Sequence, residues 1–185
     1  MPGLTIHYVV ALKSKDKNNI TNFQDYINGS FYPDFFEKPI SHGTDLTKNK
    51  DHIEELIYKV DLTKIINSTD LSTDFGKGKF LHLLTDYLFY HELCYKKYQK
   101  DNSFYECTNA FGKEFTRINK NISTLCLFDM QYIADEYKKY FVITDESARF
   151  FTTKELEDFI NHCSHLDLEQ ELKNIKNGIF PTYDI

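Results

Sequence analysis

Tryptophan is absent from this 185-residue chain, and glycine (7) and proline (4) are scarce. An all-β chain needs both at its many tight turns, so their scarcity points to helix. No apolar run approaches the ~20 residues of a membrane-spanning helix. The start, Met1-Pro2-Gly3-Leu4-Thr5-Ile6-His7, lacks the basic and apolar regions of a signal peptide. A cytoplasmic location is the expectation. Basic excess is missing too: 22 Lys and Arg face 28 Asp and Glu, a net charge of −6. That leaves no strong nucleic-acid signal, because such binders displace counterions with a basic stripe. An anionic substrate would have to be attracted by something other than Lys or Arg, and bound metal ions can do so. The four cysteines, Cys94, Cys107, Cys126 and Cys163, include no CxxC pair, and reduced, mostly buried thiols are expected.

What the chain has is apolar and aromatic mass: 41% hydrophobic residues, with 16 Phe and 13 Tyr. That is enough for one ordered core, and residues 1–185 read as a single helical domain. Residues 4–12 are apolar and suit a helix or a strand. Thr21 to Asn28 reads as a short helix closed by Gly29. Pro33, Pro39 and Gly43 suggest an irregular loop from Ser30 to Lys50, long enough to be functional. Asp51 to Val60 has Ile53, Leu56, Ile57 and Val60 on one helical face. After a break at Gly76-Lys77-Gly78, the dense apolar positions from about Lys79 to Lys97 predict a central buried helix. Further helices are expected near 104–121 and 124–140. Thr152-Thr153-Lys154-Glu155 is a capping box, with Leu156, Phe159, Ile160 and Cys163 on the face that follows. A last helix should begin near Asp167 and stop at Gly178. Together these make an all-α bundle of six to eight helices.

Within the central helix lies His82-Leu83-Leu84-Thr85-Asp86. Residues four apart on a helix are about 40° from each other and one turn up, so an imidazole and a carboxylate can share one ion. Both sit in the most apolar segment, where an ionised Asp needs a cation, a hydrogen-bond cluster or a metal. A core His–Asp hydrogen bond would serve equally, so the pair alone decides little. Its company is His7 in an apolar segment, Pro33-Asp34, and Ser41-His42-Gly43-Thr44-Asp45.

In their order, Thr5-His7-Tyr8 with an inserted Ile6, Pro33-Asp34, His42 and His82-x-x-x-Asp86 resemble the zinc-dependent phospholipase C family and its short intracellular bacterial relatives. The resemblance spans roughly residues 1–95. It implies an all-α bundle with metals in a cleft between helices. It also implies that Asp34, His42, His82 and Asp86 hold one zinc. Asp86 would bridge to a second ion held by His7. Asp34 would also act on the attacking water. A further family histidine would match His91, which lies about 180° from His82 on a continuous helix and could join only if the helix bends or ends near Phe89. Glu92 is its rival. The family's later His-x-x-x-Glu does not occur in the region of Glu114 and Arg117-Ile118-Asn119, so one metal position is expected to be altered or lost.

Other candidates have plainer readings. His162 and His165 sit in a last helical turn, where cationic side chains suit the dipole. His52 opens a helix beside Asp51. Asp45 could replace Asp34. Gly76-Lys77-Gly78 lacks the spacing of a phosphate loop. The tyrosines and phenylalanines after Asp86 are mostly core. The expectation is a metal-dependent hydrolase, with one to three zinc or other divalent ions, acting on a phosphate-ester small molecule or phospholipid headgroup. The alternative is a relative with a degenerate metal site acting as a binding or interaction module. Helical phosphohydrolases that use an adjacent His-Asp dipeptide are a poor match, since only Asp51-His52, in reverse order, occurs.

Overall fold

The computed structural model describes residues 4–35, 60–94 and 153–184. Among them there are helices and no strand. The all-α expectation therefore stands for these residues. The helices expected near 104–121 and 124–140, and residues 51–59 of the expected Asp51–Val60 helix, lie outside the described residues.

Helix α1 is Leu4–Ser14, which settles the helix-or-strand question for the apolar start. Ile6, His7, Tyr8, Val9, Val10 and Ala11 are all buried, so α1 is covered nearly all round. Helix α2 is Phe23–Phe35. Asn22 caps it, its Oδ1 accepting from the Asp25 N–H at 3.2 Å.

Gly29 does not close α2, and Ser30 to Phe35 are not loop. Pro33 falls in the last turn of α2, where it forgoes the bond its N–H would have made to the Gly29 carbonyl. Gly29 is there for packing: a Cβ would run into the Phe75 backbone carbonyl.

After the one-turn helix α3, Leu62–Ile65, and a 3-10 turn at Ile66–Ser68 comes α4, Asp74–Tyr87. Thr73 caps it, its side chain accepting from the Gly76 N–H. Gly76-Lys77-Gly78 is thus not a break before the helix but its first turns. Nor is the segment one α-helix to Lys97, because Leu88–Cys94 widen into a π-helix. The C-terminal pair follows the expectation closely. Helix α5 is Thr153–Ser164 and α6 is Leu168–Lys176. Asp167 caps α6 by accepting from the Gln170 N–H, and Gly178 ends it at φ 78°.

Helices α2 and α4 run side by side in the same direction, in register. The Asn22 N–H donates to Asp74, Gly78 lies against the Tyr26 carbonyl, and the Ser30 carbonyl meets His82, each pair at an offset of 52 residues. A Cβ on Gly78 would overlap the Tyr26 carbonyl oxygen, so the glycine allows the backbones to touch. Helix α1 packs on both helices and on α5. It is pinned by a 2.8 Å hydrogen bond between the Ser14 and Tyr26 hydroxyls. Asn18 ties its end to α6: its amide nitrogen donates to the Ser14 and Leu166 carbonyls, and its oxygen accepts from the Leu168 N–H. Phe80, Leu81, Leu84, Phe89, Phe159, Ile160 and Cys163 belong to one buried core, in which the Phe89 ring of the π-helix meets Phe159 of α5 edge-on at 5.7 Å. Cys163 is a free thiol, buried as expected, and burial raises its pKa far above the ordinary thiol value.

Candidate metal centre

One turn beyond the Ser30–His82 contact, the parallel register carries Asp34 on α2 alongside the turn of Asp86 on α4. Helix α1 supplies His7 from the third side. One donor atom each from His7, Asp34 and His82 lies within 4.8 Å of the other two, a group able to hold a metal ion. Asp86 adjoins both rings. Its Oδ1 is 3.1 Å from His7 Nε2 and its Oδ2 is 3.5 Å from His82 Nε2. His7, His82 and Asp86 are fully buried, whereas Asp34 is half-buried.

The proton on His82 can be placed from its partner. Nδ1 lies 2.7 Å from the Ser30 carbonyl oxygen, and a carbonyl only accepts, so Nδ1 carries hydrogen. In the neutral ring Nε2 then has a lone pair, and it faces a carboxylate oxygen. Two acceptors at that separation need a proton or a cation between them. Donors on one tetrahedral zinc, each about 2.0–2.1 Å from it, stand roughly 3.3 Å apart. Each ring-to-carboxylate distance taken singly is close to that value, though the two run to different oxygens, and the mutually close group is His7, Asp34 and His82.

His7 is held differently. Its ring stacks on that of His82, with centroids 3.7 Å apart and planes 19° from parallel. Among the described residues its Nδ1 has no hydrogen-bond partner, and its Nε2 lies 3.1 Å from Asp86 Oδ1. Burial and the neighbouring His82 ring lower its pKa to about 4, against the opposing pull of the Asp86 and Asp34 carboxylates. A buried, neutral imidazole is the form that binds metal.

Thus His7, Asp34, His82 and Asp86 come together. His42 lies outside the described residues, as do Asp45, His52 and Glu114. His91 is not in the mutually close group. It falls in the π-helix, and its ring stacks on Tyr87 at 4.3 Å. Glu92, its rival, accepts the Tyr183 N–H at 3.1 Å.

His165 Nδ1 bonds the Asn161 carbonyl one turn back, at 2.6 Å. The His162 ring packs on Tyr183 at 5.0 Å and bonds the Thr182 backbone. His165, just past the end of α5, makes only a local helix-end contact, whereas His162 packs on the C-terminal segment and burial lowers its pKa, away from the cationic form expected at a helix end. The site residue that sequence reasoning missed is Ser30, which acts through its main chain and so leaves no residue-type signal. No family model, curated protein or solved structure matches the chain.

Proposed function

We propose that the chain is a metal-dependent hydrolase of phosphoric esters, using a zinc or similar divalent centre held by His7, Asp34, His82 and Asp86. The observation that carries this reading is the buried His7–Asp34–His82 group with the Asp86 carboxylate set between both rings. A pair of carboxylates and a pair of imidazoles in a helical core leaves excess negative charge that a divalent cation neutralises.

When bound, the metal supplies Lewis-acid polarisation of the ester and acidifies water. The chain's own residues then divide the work. His82, oriented by the Ser30 carbonyl, presents Nε2, and His7 presents Nε2 to the other side of the same carboxylate. Asp34 is the half-buried member of the group, so substrate and water approach on its side. From there its carboxylate can orient water and take its proton. With a net charge of −6, the metal rather than a basic surface has to attract the phosphate.

The test is zinc content followed by turnover of a chromogenic phosphodiester and phosphomonoester. Zinc-loaded protein that cleaves either ester, with turnover lost in Asp34→Asn, supports the reading.

A second reading is a binding or interaction module that keeps a structural metal. Its support is that the one downstream His-x-x-x-Glu, His165 to Glu169, spans the turn between α5 and α6 with His165 bonded to the Asn161 carbonyl, and that His91 engages Tyr87 and Glu92 engages Tyr183. Stoichiometric metal without turnover of any ester would favour this second reading.

A further inference from the structure

We infer that His82 and His7 are unequal ligands: His82 anchors the metal, and His7 is the exchangeable member. This rests on the metal site proposed above. The two rings have similar surroundings in several respects. Each is buried, each turns Nε2 to one oxygen of Asp86, and they lie face to face. They differ at the outer nitrogen. His82 Nδ1 donates to the Ser30 carbonyl at 2.7 Å, whereas His7 Nδ1 has no hydrogen-bond partner among the described residues.

An acceptor at the outer nitrogen of a histidine ligand does three things. It selects the tautomer that leaves the inner nitrogen free, holds the ring plane on the metal, and raises the basicity of the donating nitrogen. The Ser30 carbonyl does this for His82 and is itself part of α2, held in register against α4 by the backbone contact at Gly78. His82 is therefore preorganised before any ion arrives. At its outer nitrogen His7 has no such acceptor, and ring stacking and its place on α1 orient that side. Without a metal, the Asp86 oxygen 3.1 Å from Nε2 favours the tautomer with hydrogen on Nε2, and no fixed acceptor at Nδ1 favours the other, the one that offers a lone pair at Nε2. Loss of an outer partner typically weakens metal binding by about 10–100-fold, and the two positions should differ on that scale. The consequence for the site is directional. Metal loading starts at His82, and the ligand that yields to chelator or to an entering substrate group is His7.

The experiment is a zinc titration with a competing fluorescent chelator on wild type, His7→Asn and His82→Asn, with helicity checked by circular dichroism. The zinc dissociation constant should rise at least about tenfold more in His82→Asn than in His7→Asn. Because a core substitution at His82 can unfold the chain, the wild type is also read directly by ¹⁵N-resolved imidazole NMR without zinc. One buried ring should show a slowly exchanging Nδ1–H, and that signal should persist in His7→Asn. Equal losses, the reverse order, or disappearance of the protected Nδ1–H in folded His7→Asn overturns the inference while leaving the metal reading intact. No zinc bound to wild type at all overturns both.

Discussion

His7 lies flat against His82, and the rings address opposite oxygens of one carboxylate, Asp86 Oδ1 at 3.1 Å and Oδ2 at 3.5 Å. What joins them is the carboxylate, so Asp86 is the residue on which both halves of the site depend.

Asp86→Asn separates the metal account from a purely structural one. Removing a buried charge without changing shape should leave the metal-free protein within about 1–2 kcal/mol of wild type, or make it more stable. Zinc at one hundred times its dissociation constant should stabilise wild type by about 2.7 kcal/mol. Thermal melts of the variant should show no zinc-dependent shift. If instead the variant unfolds with or without zinc, Asp86 is holding the core together through its histidines.

The zinc-free protein should lose stability on acidification through a window set by His7. Its folded pKa is lowered from 6.5 to about 4, so between those values the unfolded chain binds a proton that the folded chain does not. Stability is therefore fully present above pH 6.5 and falls as pH drops towards 4. The loss is on the order of 3 kcal/mol. Urea melts of wild type and His7→Gln at pH 7 and pH 4.5 measure it, and the variant should show a smaller decline.

Two glycine-to-alanine changes should destabilise for different reasons. Gly78→Ala forces a Cβ into the Tyr26 carbonyl, and separating α2 from α4 should cost about 1–3 kcal/mol or more. The same movement shifts Ser30 and Asp34 relative to His82, so zinc affinity should fall as well. At Gly178 there is open space but φ is 78°. Gly178→Ala should cost about 1–2 kcal/mol and leave zinc affinity unchanged. Paired denaturation and zinc titrations distinguish the two.

Asp74 links two helix starts. Its Oδ2 accepts from the Thr21 N–H, the Thr21 hydroxyl and the Asn22 N–H at 3.0, 2.9 and 2.6 Å. Burial opposes its ionisation. Hydrogen bonds from Asn22 and Thr21, with the nearby Lys77 charge, outweigh that and lower its pKa. Its contribution is therefore present at neutral pH and lost as pH falls through the lowered value. Asp74→Ala should cost about 1–2 kcal/mol at pH 7, and the difference from wild type should shrink in acid.

The helix ends most legible from sequence were those with side-chain signals. Asp167 and Gly178 bracket α6 as expected, while Thr152, the expected cap of α5, lies outside the described residues. Gly29, Pro33 and Gly76-Lys77-Gly78 misled for one reason. Glycine and proline act as breakers in isolation, but in α2 and α4 the glycines serve close backbone contact, a tertiary cause invisible along one segment. At the site, His82 and Asp86 could be paired from their spacing because that pairing is local. Asp34 was recognised as a candidate but assigned to a loop, whereas α2 carries it into the parallel register. His91 was expected to join only if the helix departed from α geometry. It does depart, yet the π turn sets the ring on Tyr87. The Ser30 carbonyl had no signature, since any residue carries one.

The most direct measurement is the zinc content of purified wild-type and His82→Asn protein by elemental analysis, with folding verified in both. The account predicts at least one equivalent of zinc in wild type and its loss in the folded variant. No metal in wild type, and no change in its melting temperature on adding zinc, would contradict it and leave the buried His7–His82–Asp86 group as a core ion-pair network.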